Sequence, residues 1–179
     1  MKPAQVLILP GWQGSGPTHW QSLWERRHHY TRVQQHDWAR PLRGDWVARL
    51  EDEIVDREDQ VVLVAHSLGC VLAAAWATHS RNAARVKGAL LVAPCDSERA
   101  DLRQVLRTWA PVPQQALPFT SVVVASRDDP YCDFPRAQAF AQAWGAQFID
   151  HGACGHINAD SGLGSWPEGH VLLQDLMGL

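Results

Sequence analysis

Four runs of consecutive apolar residues recur along the chain, at positions 6–9, 61–65, 89–93 and 122–125. None of them alternates polar with apolar side chains, as a strand with one face in water would. Continuous runs of this length, rich in valine, isoleucine and leucine, are typical of strands that are covered on both faces, as in parallel sheets. The pattern therefore predicts a buried parallel sheet.

The segments between these runs have helical spacing. Apolar residues recur every three or four positions in the stretches 45–59 and 133–144, which is the period of one helix face. Two weaker strand candidates, 31–36 and 146–150, carry more polar residues, so we place them toward the edges of the sheet. Residues 110–118 contain three prolines and are predicted to form a surface loop.

The alternation of strand and helix predicts an α/β fold, a doubly wound sheet with helices on both faces. The chain has 179 residues and contains neither internal repeats nor a low-complexity linker. A length of this order corresponds to one domain. We therefore expect residues 1–179 to form a single domain.

The charge, apolar runs and cysteines of the chain indicate whether nucleic acid, a membrane or a metal is an expected partner. Sixteen basic and nineteen acidic side chains give a formal charge of −3, and no basic stripe is present, so nucleic acid is not an expected partner. No run approaches the roughly 20 apolar residues of a membrane span. The four cysteines lie far apart and match neither a zinc pattern nor a dense disulfide framework. These features predict a cytoplasmic protein with reduced thiols and no membrane association.

A candidate nucleophile lies where the second apolar run meets an alanine-rich helical stretch. Residues 65–69 read AHSLG, with Ser67 at the centre. This fits the nucleophile elbow G-x-S-x-G with alanine in the first position, because the tight turn tolerates only small residues two positions either side of the serine. The alternative is that Ser67 simply caps the following helix. We expect Ser67 to be catalytic and the Leu68 N–H to donate to the oxyanion.

Candidate partners of Ser67 follow in the chain order of α/β-hydrolases, in which an acid and then a histidine come after later strands. His156 lies in the glycine-containing segment after the last strand candidate and is the expected general base. Asp128, Asp129 and Asp133 all follow the strand at 122–125. Asp133 directly precedes a helical pattern and is better explained as its N-cap. Pro130 favours an extended Asp129, but the residues alone do not separate Asp129 from Asp128.

The loop after the first strand is the candidate for the second oxyanion donor, with the Trp12 N–H just after Gly11. Its glycines, at 11, 14 and 16, are followed by Pro17-Thr18, so they fit neither a phosphate loop nor a dinucleotide fingerprint. Gly11 and His19 are expected beside the substrate. Trp12 and Trp166 are expected near the mouth of the site, as walls for an apolar group.

Taken together, these segments resemble a family of small serine hydrolases that includes the retinoblastoma-binding hydrolase and many bacterial relatives. The segments that carry the resemblance are LPGW at 9–12, THW at 18–20, AHSLG at 65–69, DDPY at 128–131, GHIN at 155–158 and SGLGSWPEG at 161–169. The resemblance implies a minimal α/β-hydrolase of about six mostly parallel strands without a large cap domain. It also implies the triad Ser67, Asp129 and His156, which favours Asp129 over Asp128. The L-x-C-x-E retinoblastoma-binding motif is absent, since residues 68–72 read LGCVL.

The expected activity is hydrolysis of small carboxylic esters, with thioesters and amides within reach of the same mechanism. Ser67 would form an acyl-enzyme, His156 would move the proton and Asp129 would orient His156. This chemistry requires no metal and no organic cofactor, and its partner is a small acyl substrate. The alternative is a protein that keeps the fold but serves as a binding module without turnover.

Overall fold

One parallel sheet of six strands forms the centre of the computed structural model, which describes residues 4–178. In chain order the strands are β1 (Gln5–Leu9), β2 (Thr31–Arg32), β3 (Val61–His66), β4 (Val86–Val92), β5 (Thr120–Ala125) and β6 (Gln147–Asp150). Their spatial order is β2-β1-β3-β4-β5-β6, and every neighbouring pair is parallel. The four apolar runs form β1, β3, β4 and β5, as predicted.

Five helices cover both faces of this sheet: α1 (Trp20–His28), α2 (Arg43–Val55), α3 (Leu68–His79), α4 (Phe134–Trp144) and α5 (Pro167–Met177). Helices α2, α3 and α4 share one core cluster with alternate residues of the strands, while α1 and α5 share the other. Side chains of a strand point to opposite faces in turn, so each strand contributes to both cores. The doubly wound α/β architecture is confirmed, and no cap domain stands over the described residues.

The two weaker strands lie at the edges of the sheet, as predicted, but β2 is shorter than residues 31–36. It pairs with β1 only at Thr31 and Arg32, and the Val33 N–H makes one more bond to the Ile8 carbonyl, 2.9 Å. Strand β1 ends at Leu9, and Pro10 has no N–H with which to continue the ladder. Beyond Leu9, β1 therefore offers no further residues with which β2 can pair.

The segment 110–118 is irregular, as predicted, but it is not wholly at the surface. Val112 is only 2% exposed and belongs to the core that α4 covers. The Pro113 carbonyl accepts a hydrogen bond of 2.8 Å from the indole N–H of Trp144. A buried indole N–H needs an acceptor, and this loop supplies one.

Because all strands are parallel, the segments that follow them meet at one edge of the sheet. Ligand sites of open α/β sheets lie outside the carboxyl ends of the strands. Here that edge collects the segments after β1, β3, β4, β5 and β6, which contain all of the predicted catalytic residues. Across residues 4–178, every helix is too short or too polar to span a bilayer.

Candidate active site

The turn between β3 and α3 holds Ser67 in a strained backbone conformation. Its φ is 56° and its ψ is −119°, outside the regions that non-glycine residues commonly adopt. The Ser67 N–H donates to the Val92 carbonyl of β4, and the Ser67 carbonyl accepts from the Cys70 N–H, both at 3.0 Å. The Ser67 side chain makes no capping hydrogen bond to α3. Capping of α3 therefore does not account for the presence of a serine at position 67.

Two glycines are required for this turn to fit its neighbours. A Cβ on Gly69 would lie 2.2 Å from the Leu9 carbonyl oxygen, and one on Gly11 would lie 2.9 Å from the Cβ of Ser67. Both distances are far below van der Waals contact. The loop after β1 and the turn after β3 can therefore approach each other only because both positions lack a side chain.

Ser67, His156 and Asp129 form a continuous hydrogen-bonded line. The hydroxyl oxygen of Ser67 lies 2.9 Å from Nε2 of His156, and Nδ1 of His156 lies 2.8 and 3.0 Å from the two carboxylate oxygens of Asp129. The side chains of His156 and Asp129 are 9% and 3% exposed. Residues 67, 129 and 156 are distant in sequence and adjacent in space, as the hypothesis of a triad requires.

The three candidate acids occupy different places. Asp128 accepts from the Ser126 hydroxyl and from the Gly155 N–H, each at 2.8 Å, and these bonds lower the pKa of its carboxyl. Asp128 thereby ties the segment after β5 to the segment that carries His156. Asp133 occupies the N-cap position of α4, as predicted, although its side chain makes no capping bond. Only Asp129 of the three contacts the His156 ring.

The N–H groups of Trp12 and Leu68 are both available near Ser67. Leu68 is the first residue of α3, so its N–H has no carbonyl partner within the helix. Across residues 4–178 the Trp12 N–H has no hydrogen-bond partner, while the following Gln13 N–H donates to the Trp38 carbonyl at 3.0 Å. The Trp12 indole is also anchored, because its N–H donates to the Ala39 carbonyl at 2.9 Å.

Two further histidines pack behind His156. The ring centroid of His66 lies 4.8 Å from the ring centroid of His156 and 4.7 Å from that of His19. Nε2 of His66 lies 2.8 Å from the His156 main-chain oxygen, so it carries a proton and donates. Burial is the main cause that lowers the pKa of His66 well below its usual value and that of His19 to about 3. Both rings are therefore neutral near pH 7, and neither is the base.

The cavity in front of Ser67 has a volume of about 280 Å³. Its lining includes Gly11, Trp12 and His19, but no Asp, Glu, Lys or Arg of the described residues. The lining also contains three apolar or weakly polar residues that the sequence analysis did not predict: Cys95, Leu102 and Leu106. The spacing of Leu102, Leu106 and Trp109 in an otherwise polar stretch is the signal that could have found them. Burial raises the pKa of the Cys95 thiol to about 12, so Cys95 is not a competing thiolate.

The expectation that Trp166 lies at the mouth of the site is wrong. Trp166 is 1% exposed and belongs to the core between the sheet, α1 and α5. Its ring centroid lies 5.1 Å from that of Trp20 and 6.1 Å from that of Trp24. The cause is local, because the Trp166 ring fills the space above Gly169 in the first turn of α5, where a Cβ would lie 2.2 Å from it.

Comparisons with known proteins identify similar hydrolases. A protein-family model described as serine hydrolase matches residues 6–175. Among solved structures, a YdeN-like hydrolase from Pectobacterium atrosepticum is 31% identical, with a TM-score of 0.87 over 99% of this chain and 92% of its own. The ydeN gene product of B. subtilis is 21% identical, with a TM-score of 0.78 over 98% of this chain and 100% of its own.

More distant structures share the fold alone. The type II thioesterase BorB of the borrelidin biosynthetic cluster is 17% identical, with a TM-score of 0.66 over 98% of this chain and 92% of its own. No curated protein matches the chain.

Proposed function

The chain belongs to the serine hydrolase family, and from this premise we propose that it hydrolyses small carboxylic esters through an acyl-enzyme on Ser67. The observation that carries the proposal is the line of hydrogen bonds from the Ser67 hydroxyl through His156 to the Asp129 carboxylate. An unassisted serine hydroxyl is a weak nucleophile, and this arrangement is the one that activates it.

In the first half of the reaction, the Ser67 oxygen attacks the ester carbonyl carbon while its proton passes to Nε2 of His156. Nδ1 of His156 keeps its own proton, because Asp129 accepts it at 2.8 Å. Asp129 also stabilises the imidazolium that forms. The bond from carbon to the alcohol oxygen then breaks, and the proton on Nε2 moves to that oxygen.

The oxyanion formed in this step is held by the N–H groups of Trp12 and Leu68. Within residues 4–178 neither amide has a hydrogen-bond partner, and the N-terminal end of α3 adds its positive dipole at Ser67. In the second half of the reaction, water gives its proton to His156 and attacks the acyl-enzyme. Cleavage of the bond to Ser67 then returns that proton to the serine oxygen.

The size and polarity of the cavity support a small, uncharged acyl group. A volume of about 280 Å³ lies just below the range of roughly 300–1,000 Å³ that is usual for drug-sized ligands. No charged side chain of the described residues lines it, and His19 and His66 are neutral near pH 7. Leu102 and Leu106 give the acyl chain an apolar wall.

A fluorophosphonate probe tests the proposal directly. It should label the wild-type protein and fail on Ser67→Ala, and Ser67→Ala should lower kcat for a p-nitrophenyl ester by roughly 10⁴ or more. Ser165→Ala is a matched control, since the Ser165 hydroxyl makes no hydrogen bond within residues 4–178 and lies outside the cavity. Folded wild-type protein that neither reacts with the probe nor turns over esters would instead be a binding module.

A further inference from the structure

A second depression adjoins the Ser67 cavity beside His156. Three residues line both spaces: Tyr131, His156 and Asn158. The depression is otherwise bounded by the segments 153–155 and 160–161 and by Pro130. We call this depression the alcohol subsite, for the following reasons.

The chemistry of ester cleavage fixes which part of a substrate lies there. His156 must deliver its proton to the leaving oxygen, so the alcohol part has to lie against the exposed edge of the His156 ring. Tyr131 is 39% exposed and lines the depression, and its ring centroid lies 4.6 Å from that of His156. The acyl part then extends the other way, toward Leu102 and Leu106.

The side chain of Asn158 is oriented by a hydrogen bond to its oxygen, which leaves its nitrogen, Nδ2, available to a ligand. The side-chain oxygen Oδ1 accepts from the Asp160 main-chain N–H at 3.1 Å. The main-chain N–H of Asn158 donates to the Ser161 hydroxyl, also at 3.1 Å. The first bond fixes which end of the amide is oxygen and leaves Nδ2 with two unused donors. Nδ2 makes no hydrogen bond to any residue between 4 and 178. Asn158 is thus a pre-oriented donor two residues after the proposed base.

The charge of the subsite narrows what Nδ2 can bind. No Lys or Arg of the described residues lines the depression, whereas the acidic residue Asp160 does. A phosphate or carboxylate on the alcohol would therefore be repelled. A hydroxyl group both accepts and donates, so it can accept from Asn158 and donate to Asp160.

We propose that Asn158 is a substrate-binding residue whose Nδ2 donates to a hydroxyl of the leaving alcohol, and that the enzyme takes short, apolar acyl esters of uncharged, hydroxylated alcohols. This inference rests on the proposed ester hydrolysis at Ser67. The Tyr131 ring covers the carbon skeleton of the alcohol.

Two butyrate esters with three-carbon alcohols test the inference: glycerol monobutyrate, which keeps two free hydroxyls, and propyl butyrate, which has none. We expect the wild-type enzyme to have the higher kcat/KM for the glycerol ester. Asn158→Ser retains an oxygen that can cap the 3-10 turn at Ala159–Ser161. It should lower this preference by about 3- to 10-fold, the range for one neutral hydrogen bond, and change kcat/KM for propyl butyrate less than twofold.

Hydrolysis of the butyryl-enzyme separates substrate binding from a merely structural role. Both esters give the same butyryl-enzyme after the alcohol has left, so Asn158→Ser should leave its rate of hydrolysis unchanged. A variant that displaced His156 would slow this step as well, since His156 acts in both halves. Asn158→Thr, whose hydroxyl oxygen can also cap the turn, should lose the preference in the same way.

Three results would overturn the inference: equal kcat/KM for the two esters in the wild-type enzyme, a preference that survives both variants, or slower hydrolysis of the butyryl-enzyme in both. The proposed function fails differently. In that case neither ester is turned over and the fluorophosphonate probe does not label Ser67.

Discussion

Two walls face each other across the cavity, and they are built in opposite ways. The elbow at residues 65–69 is fixed by backbone: Ser67 has a φ of 56°, and Gly69 leaves no room for a Cβ beside the Leu9 carbonyl. The opposite wall, residues 96–109, is a succession of turns that ends in the 3-10 turn Arg107–Trp109, and we call it the turn wall. It meets the cavity with the side chains of Leu102 and Leu106.

Side chains also hold this turn wall in place. The Ser97 hydroxyl donates to the Trp109 carbonyl at 2.9 Å, and the Trp109 indole donates to the Pro41 carbonyl at 3.1 Å. The Asp96 N–H adds one main-chain bond to the Tyr131 carbonyl, 3.0 Å. The elbow therefore tolerates no change of volume, whereas the turn wall can change size while the reacting groups stay in place.

The largest expected effect follows from adding one methyl group to the elbow. Gly69→Ala would place a Cβ 2.2 Å from a main-chain oxygen that cannot move without shifting β1. We expect loss of folded protein and, with it, of all measurable esterase activity, assayed by thermal unfolding and ester turnover.

Gly44→Ala is the matched control for this change. Gly44 is the second residue of α2, as Gly69 is of α3, but nothing lies within 4 Å of its Cβ position. Alanine is the better helix former, so Gly44→Ala should leave activity unchanged and raise stability by up to about 1 kcal/mol. Equal behaviour of the two variants would contradict the steric account of the elbow.

The next largest effect concerns the two neighbouring aspartates. Asp129→Asn keeps the shape of the side chain but no longer fixes the His156 tautomer, so kcat should fall by about 10⁴ while the protein stays folded. Asp128→Asn should cost much less activity, because Asp128 binds Ser126 and the Gly155 N–H rather than the His156 ring. If kcat fell by 10⁴ in Asp128→Asn and not in Asp129→Asn, the assignment of the acid would be wrong.

A change in the turn wall should alter substrate preference and leave the chemistry intact. Leu106→Ala removes three carbons from the lining, so the ratio of kcat/KM for hexanoyl to acetyl esters should rise by up to about 50-fold, at roughly 0.8 kcal/mol per buried methylene. Val105→Ala, on the same segment but at a side chain 39% exposed and outside the cavity, should leave the ratio unchanged. An unchanged ratio in Leu106→Ala would remove this wall from the acyl site.

The smallest expected effect concerns His19, which packs against His66 behind the elbow. Its pKa is about 3 in the folded protein against 6.5 for the free side chain, so the unfolded chain binds more protons between those values. Stability should therefore fall as the pH falls from about 6.5 toward 3, by at most about 1.4 kcal/mol per pH unit for this group. Urea unfolding at pH 6 and pH 5 measures the slope.

His19→Asn isolates this contribution to the pH dependence. Asparagine can replace Nδ1 of His19 as the cap that accepts from the Gln21 N–H. In the variant, the slope of the unfolding free energy against pH should decrease by the contribution of one titrating group. The lost ring contacts with His66 and Trp20 should lower stability equally at every pH. A slope identical to that of the wild type would place the titrating groups elsewhere.

Much of the fold could be predicted because its signals are local. The runs at 61–65 and 122–125 are apolar at every position, and only a strand buried on both faces suits such a run. The short β2 could not be predicted, since its length depends on where its neighbour β1 ends. Trp166 was misplaced for the same kind of reason: the sequence reveals a tryptophan after a glycine-rich turn, but the space above Gly169 exists only once α5 packs on the sheet.

For the site, the order of residues along the chain is enough to predict which residue types follow which strands: Ser67 in a small-residue turn, two aspartates after β5, and His156 in a segment with glycine. Parallel strands bring those segments to one edge, so the hypothesis of a triad needed no coordinates. The folded protein was needed to show that Asp129 contacts the His156 ring while Asp128 binds the Gly155 N–H. It also brought Leu102, Leu106 and Asn158 to the cavity. Adjacent residues have the same chemistry in the sequence, and only the direction of each side chain in the folded protein separates them.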